Sequence, residues 1–281
     1  MHTIDTQTRL CAVIGNPVAH SLSPRMHNAA YHAAGLNFVY LAFHVEDIAG
    51  FLAGVRAMPS FRGVSVTIPH KRAVMSHLDE IEDLARHVGS VNTITNDNGR
   101  LIGSTTDGPG ALRALTEAGI NLTGRRVLLL GSGGAVRAVA FAIAEMTRAE
   151  HVTILGRTAA NVDELLRDLR QANLDHVTGG SLDAALAEAM ATHDVVIQGT
   201  SVGMEPHDGQ TCVPKELFRA DQAVFDMVYR PHETRLLREA REAGCQVVHG
   251  IEMLINQAAL QFERWTATPC PLFAMRESVS Q

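Results

Sequence analysis

Two hydrophobic signatures alternate along this chain. Short unbroken apolar runs, among them Leu10-Cys-Ala-Val-Ile14, Val127-Leu-Leu-Leu-Leu130 and Val195-Val-Ile197, suit strands buried on both faces of a parallel sheet. Between such runs lie stretches with helical spacing: Val136, Val139, Ala140 and Ile143 recur on one helix face. In the first part of the chain the pattern predicts strands over 10–15, 38–45 and 61–68 and helices over 25–34 and 48–58. A hairpin of 90–94 with 101–103 follows, turning at Asn96-Asp-Asn-Gly99, then a helix over 111–118. From Gly124 the predicted strands at Val127, His151, His176-Val177, 194–197 and 224–228 alternate with helices. A helix over 232–242, a short strand ending at His249-Gly250 and a last long helix over 251–265 complete the chain. The expected class is α/β in two domains: an N-terminal α/β domain with a mostly parallel sheet, and a doubly wound Rossmann-type domain.

Composition narrows the function classes. The chain has 281 residues, 46% hydrophobic and 19% charged, enough for two globular domains and a substantial core. A net charge of −6 without a basic cluster leaves no electrostatic footprint for nucleic acid or an anionic membrane. The polar lead has neither a basic n-region nor a long h-region, and no stretch approaches a membrane-spanning length, so a cytoplasmic protein is expected. Cys11, Cys212, Cys245 and Cys270 are scattered without a C-x-x-C pair, as expected of reduced thiols. The fourteen histidines show no metal-ligand spacing, so no metal is expected.

The candidate chemistry begins at Gly131-Ser132-Gly133-Gly134-Ala135, between a predicted strand and a predicted helix. Glycines let the backbone turn tightly and approach a ligand, and a helix start offers free N–H groups and a positive dipole end to phosphate. The fingerprint G-x-G-x-x-G is imperfect, with Val136 in the third place, and an ordinary strand–helix turn is the alternative. The next strand ends in Gly156-Arg157-Thr158, with no Asp or Glu for a ribose 2′-hydroxyl and a guanidinium suited to a 2′-phosphate. This favours NADP over NAD.

Several polar residues collect at predicted strand ends, where small ligands bind in open α/β sheets. Ser21 and Ser23, two apart in an expected extended segment, present two hydroxyls that suit a small carboxylate. Ser23 also reads as an N-cap with Pro24 at the first helical position. Ser65 and Thr67 fall on one strand face, and Pro69 opens a helix with His70 and Lys71 in its first turn. A lysine there is disfavoured by the helix dipole, which tends to lower its pKa; a solvated lysine is the alternative. Asn92 and Asp107 complete the group, Asp107 doubling as an N-cap. Further on, Thr200 to Met204 and Tyr229 lie at strand ends, and Gln257 sits on the last helix.

Taken in order, these motifs resemble the shikimate dehydrogenase family over nearly the whole chain. The carriers are Gly15-Asn-Pro17 with Ser21-Leu-Ser-Pro24, Val66-Thr-Ile-Pro-His-Lys71, Val91-Asn-Thr93, Thr106-Asp-Gly108 and Gly131-Ser-Gly-Gly-Ala135. Arg157-Thr158, Phe225-Asp-Met227 with Tyr229, and Met253-Leu-Ile-Asn-Gln-Ala-Ala259 continue the series. The resemblance implies reversible NADPH-dependent reduction of 3-dehydroshikimate to shikimate. It implies that residues 1–107, completed by 250–281, form the substrate-binding and catalytic domain, and 108–249 the NADP-binding domain. Ser21 and Ser23 would hold the substrate carboxylate, and Thr67, Asn92, Asp107 and Gln257 its hydroxyls. Lys71 and Asp107 would be the catalytic pair, with Tyr229, Met204 and Gly250 near substrate and nicotinamide. Gly131 to Ala135, Arg157, Thr158 and Thr200 would serve the cofactor, and the protein would be a monomer or homodimer.

Some positions depart from the family's commonest pattern. Ser65 stands where Asn usually precedes Val-Thr, Thr105 replaces Asn before Thr-Asp, Gly156 opens the phosphate motif, and Asn161 replaces a second basic residue. Losing one guanidinium contact costs about 1.5–3 kcal/mol, which weakens the preference for NADP. Two other readings follow: a quinate/shikimate or aminoshikimate dehydrogenase using NAD or both cofactors, and a non-catalytic nucleotide-binding sensor on the same fold.

Overall fold

The unbroken apolar runs become the middle strands of two six-stranded sheets. The computed structural model describes residues 4–172 and 174–280. Among them no helix is long and apolar enough to cross a membrane. The chain divides into two units: one holds the described residues up to Thr106 and from Ile255 onward, the other is Asp107–Leu254. The passage back into the first unit thus falls inside the last long helix rather than before Gly250.

In the first unit β1 (Arg9–Gly15), α1 (Ser23–Ala33), β2 (Phe38–His44), α2 (Ile48–Ala57) and β3 (Phe61–Val66) precede β4 (Glu80–Ile81), α3 (Asp83–Val88), β5 (Thr93–Asp97) and β6 (Arg100–Ser104). The strand order is β2-β1-β3-β5-β6-β4. The β1 pairings and β4 with β6 are parallel, whereas β5 runs antiparallel to β3 and β6. Apolar side chains of β1, α2, β3, β5 and β6, including Ile14, Leu52, Val64, Ile94 and Leu101, form one buried cluster. In the hairpin Asp97 pairs with Arg100 across Asn98 and Gly99, whose φ values of 51° and 94° are those of a two-residue turn with both centres left-handed. The turn is thus shorter than expected. Asn96 is instead buried: its amide donates to the Val55 carbonyl at 2.8 Å and accepts from the Gly99 N–H at 2.7 Å.

The second unit contains α4 (Asp107–Glu117), β7 (Arg126–Leu130), α5 (Gly134–Met146), β8 (His151–Gly156), α6 (Ala159–Gln171), β9 (Val177–Ser181), α7 (Leu182–Thr192), β10 (Val195–Gln198), β11 (Ala223–Asp226), α8 (Arg235–Glu242) and β12 (Gln246–Val248). Every strand pair is parallel, in the order β12-β11-β10-β7-β8-β9, so the winding reverses between β7 and β10. Ligands of doubly wound sheets bind at that switch, outside the carboxyl ends of the strands. Register brings Leu130 level with Leu155 on one side and Gln198 on the other, so Gly131, Gly156 and Gly199 lie at neighbouring strand ends.

Helix α4 begins at Asp107, ahead of the expected 111 and through Gly108-Pro109-Gly110. Proline is tolerated in a first turn, where its missing N–H has no partner to lose. Gly108 serves close packing: a Cβ there would sit 2.3 Å from the Ala138 carbonyl oxygen on α5. Finally α9 (Gly250–Thr266) leads into α10 (Leu272–Val279), an unpredicted helix that packs on α1. Ala258 and Phe262 are fully buried, as the helical spacing of 254, 258 and 262 anticipates.

Candidate active site

In the second unit the glycine turn has the form a dinucleotide requires. Gly131 takes φ +113°, and its N–H donates to the Leu155 carbonyl at 2.7 Å. Gly133 caps α5 without any side-chain hydrogen bond to the helix start. A Cβ on Gly133 or Gly134 would meet no heavy atom within 4 Å, so the space before the helix is open and its N–H groups face it. The imperfect fingerprint also has a physical explanation. Val136 is fully buried, and a Cβ on Gly199 would sit 2.4 Å from its methyl group. The glycine missing from the helix is thus supplied by the neighbouring strand end. Gly156 does the same for the turn itself, since a Cβ there would lie 3.2 Å from the Ser132 hydroxyl and 2.7 Å from Val162.

Arg157 and Thr158 follow β8 at the surface, and among the described residues Arg157 has no ion-pair partner. Arg137, by contrast, is held by Asp168 at 2.7 Å. Thr158 caps α6 by its backbone, with no side-chain bond to the helix. An open helix start flanked by an available guanidinium fits the diphosphate and 2′-phosphate of NADP. Thr200 lies against Gly131, its methyl 3.2 Å from where a Cβ would stand, and its hydroxyl accepts from the Val202 N–H at 3.1 Å. Met204 and Tyr229 are 47% and 41% exposed, unusual for such side chains and consistent with a ligand-facing position. Gly250 opens α9 where a Cβ would lie 2.4 Å from the Val228 carbonyl, a close approach only glycine permits.

Beneath these loops lies an assembly of which the Phe225-Asp-Met227 motif marks only the centre. Asp226, fully buried at the end of β11, accepts from the Val228 N–H at 3.0 Å, the Gln198 amide at 3.2 Å and the Thr234 hydroxyl at 2.6 Å. Thr234 in turn caps α8, and the Gln198 amide oxygen accepts from the Thr200 N–H. Burial pushes the Asp226 carboxyl up from 3.8 to about 6, against the opposing pull of Thr234, Val228 and Gln198. A raised carboxyl pKa favours the fold while the group is protonated, and that contribution is lost as pH climbs from the ordinary value through about 6. Asp226→Asn keeps an amide oxygen for the two N–H donors. Urea unfolding should therefore show the variant gaining about 3 kcal/mol on the parent between about pH 4 and pH 7. A constant difference across that range contradicts the buried-acid assignment.

In the first unit the two serines differ from expectation. Leu22, with helical φ and ψ, occupies the N-cap of α1, and no side chain caps that helix. The segment is therefore not extended, and Ser23 is the first helical residue rather than the cap. Ser21 instead accepts from the Ser23 N–H at 3.3 Å. Ser23 is buried. Lys71 also differs: no helix opens at Pro69. Residues 68–72 form a turn before a short 3-10 helix at Ala73–His77, so the helix-dipole argument does not apply. Long-range backbone bonds explain why. The Asn16 N–H donates to the Ile68 carbonyl at 3.1 Å and the Val91 N–H to that of Lys71 at 2.8 Å. The His70 ring donates to the Val45 carbonyl at 2.8 Å, fixing the turn from a third side. Thr67 presses its methyl on Gly15, where a Cβ would lie 2.5 Å away.

Asn92 is the hub of this unit, 3% exposed just ahead of β5. Its backbone carbonyl accepts from the Val66 N–H at 2.8 Å, and its side-chain oxygen accepts from the Thr106 N–H at 2.8 Å and the Thr93 hydroxyl at 2.7 Å. Its amide nitrogen donates to the Thr106 hydroxyl at 3.0 Å and reaches the Gln257 oxygen at 3.5 Å. Asn92 thereby sets the residue that directly precedes Asp107. Gln261 and Tyr40, fully buried members of the same network, were not legible as site residues. Gln261 had a signal, for it stands four residues after Gln257 on one helix face. Tyr40 lies flat on His27, ring centroids 4.2 Å apart, and burial pushes that imidazole down to about 3, so it stays neutral.

Comparison with known proteins places this arrangement. Residues 13–94 match the family description "Shikimate dehydrogenase substrate binding domain", 113–207 "Shikimate / quinate 5-dehydrogenase", and 250–279 "Shikimate 5'-dehydrogenase C-terminal domain". Shikimate dehydrogenase (NADP(+)) of Moorella thermoacetica is 44% identical over 278 residues, covering 98% of this chain and 94% of that protein. The structure of shikimate 5-dehydrogenase from Listeria monocytogenes with shikimate and NAD superposes with a TM-score of 0.94 at 35% identity, covering 99% and 98% of the two chains. That from Thermus thermophilus with NADP(H) and shikimate gives 0.85 at 39% identity, covering 96% and 98%. Likeness of this extent, over both units and through the glycine turn, the lysine turn and the Asn92 hub alike, makes the chain a member of the shikimate dehydrogenase family.

Proposed function

We propose that this protein catalyses the reversible NADPH-dependent reduction of 3-dehydroshikimate to shikimate. The observation that carries the reading is the pairing of two built features. One is an open, glycine-lined helix start with an available Arg157; the other is a buried amide hub, Asn92, hydrogen-bonded toward Gln257 and backed by the lysine turn. Ser21 and Ser23 bind the substrate carboxylate, while Thr67, Asn92, Asp107 and Gln257 bind its hydroxyls. NADPH, when bound, supplies the hydride. Lys71 donates the proton to the carbonyl oxygen and recovers it from the hydroxyl in the reverse direction, and Asp107 orients the ammonium. Tyr229, Met204 and Gly250 border the nicotinamide, and Gly131 to Ala135, Arg157, Thr158 and Thr200 hold the rest of the cofactor.

Mixing the protein with shikimate and NADP should yield 3-dehydroshikimate and NADPH in equal amounts. Binding of both ligands without turnover would favour a nucleotide-binding sensor instead. A second dehydrogenase reading, quinate or shikimate oxidation with NAD, is favoured by Asn161 in the place of a second basic residue. The protein is proposed to act in the cytoplasm, as a monomer or homodimer.

A further inference from the structure

We propose that Tyr40, Ser65 and Gln261 are positioning residues for the substrate, forming a one-way hydrogen-bond chain that fixes the Asn92 amide with its nitrogen offered as a donor. The proposal rests on the reading above, in which Asn92 contacts a substrate oxygen. Two backbone groups without a choice of role set the direction of the chain. The Asn92 carbonyl can only accept, so the Gln261 nitrogen must be the atom 3.2 Å from it, and the Gln261 oxygen then faces Ser65 at 2.7 Å. Ser65 must donate to that oxygen. Its lone pairs are left to accept from the Tyr40 phenol at 2.6 Å. At the other end the Thr106 N–H can only donate, which places the Asn92 side-chain oxygen against it at 2.8 Å. The Gln261 nitrogen also donates to the Thr93 hydroxyl at 2.8 Å, and Thr93 passes its own proton to that same Asn92 oxygen at 2.7 Å. The oxygen of the Asn92 amide is thus engaged by two donors, which fixes the NH2 group as the donor side of the amide, turned toward the Thr106 hydroxyl at 3.0 Å and the Gln257 oxygen at 3.5 Å.

The chain is shielded from bulk water. Tyr40 is 0% exposed, Gln261 1% and Ser65 6%, so a broken link leaves a buried polar atom without a partner and frees the next member to rotate. Ser65 is the position at which this chain departs from the commoner Asn. A hydroxyl there both receives from Tyr40 and gives to Gln261, which makes the relay continuous.

Initial rates with shikimate and NADP on the full-length protein test the proposal through Ser65→Ala, Gln261→Met and Ser65→Thr, with thermal melts checking that each variant folds. Ser65→Ala and Gln261→Met should raise KM for shikimate about tenfold or more, the equivalent of one misaligned hydrogen bond, while KM for NADP stays within about twofold. Ser65→Thr, which keeps the hydroxyl, should return KM for shikimate toward the parent value. If the first two variants do not fold, Tyr40→Phe removes a single oxygen and should raise KM for shikimate about threefold with the same cofactor insensitivity. Unchanged KM for shikimate in folded variants, or equal changes in both KM values, overturns the positioning role alone. A parent protein that does not turn over shikimate overturns the underlying reading and the proposal with it.

Discussion

Replacing Lys71 with methionine is expected to lower kcat for shikimate oxidation about 100-fold or more, while KM for shikimate and for NADP stay near the parent values. Methionine keeps the length and apolar stem of the side chain and removes only the group that exchanges the proton. The backbone of the turn does not depend on the ammonium, because the Lys71 carbonyl is held by the Val91 N–H and the preceding His70 by the Val45 carbonyl. Folding and ligand binding should therefore survive while chemistry fails. Steady-state kinetics in both directions check this, and an unchanged kcat removes Lys71 from the mechanism.

Replacing Arg157 with alanine should raise KM for NADP about 10- to 100-fold and leave KM for NAD nearly unchanged. A charge-assisted guanidinium–phosphate contact contributes about 1.5–3 kcal/mol, and each 1.4 kcal/mol is about a tenfold change. Arg157 is exposed, and Asn161 offers no second cation nearby in sequence, so the proposed 2′-phosphate contact rests on one guanidinium. The stability of the fold should not change, since the side chain buries little. Equal effects on the two cofactors would refute the 2′-phosphate contact.

What could be read before the structure was known follows from how local each signal is. The run 127–130, the glycine turn and α5 were legible together because burial on both faces, a tight turn and a helical stripe each leave a separate mark on consecutive residues. The hairpin was legible from Asn98-Gly99, whose backbone angles few other pairs adopt. Pro69, a favoured helix opener, points to a helix at Lys71 that the structure does not form. Backbone bonds from Asn16 and Val91, far away in sequence, hold that segment as a turn instead. Ser23 looks like a cap in sequence because Pro24 follows it, yet the helix already starts at Ser23, and Ser21 takes the local N–H. The short strand β4, helix α3 and helix α10 went unpredicted, being too brief to show a period. Buried polar residues with long-range partners leave the weakest local mark. Tyr40 resembles an ordinary core position in sequence, Gln261 shows only its spacing from Gln257, and the Phe225-Asp-Met227 motif marks Asp226 without naming its partners Gln198 and Thr234, which come from across the fold.

The most direct test of the proposed activity is kcat/KM measured for shikimate and for quinate, each with NADP and with NAD, on the unaltered protein. Shikimate with NADP is expected to give the highest value. A higher value for quinate with NAD would contradict NADP-dependent shikimate chemistry as the activity of this chain.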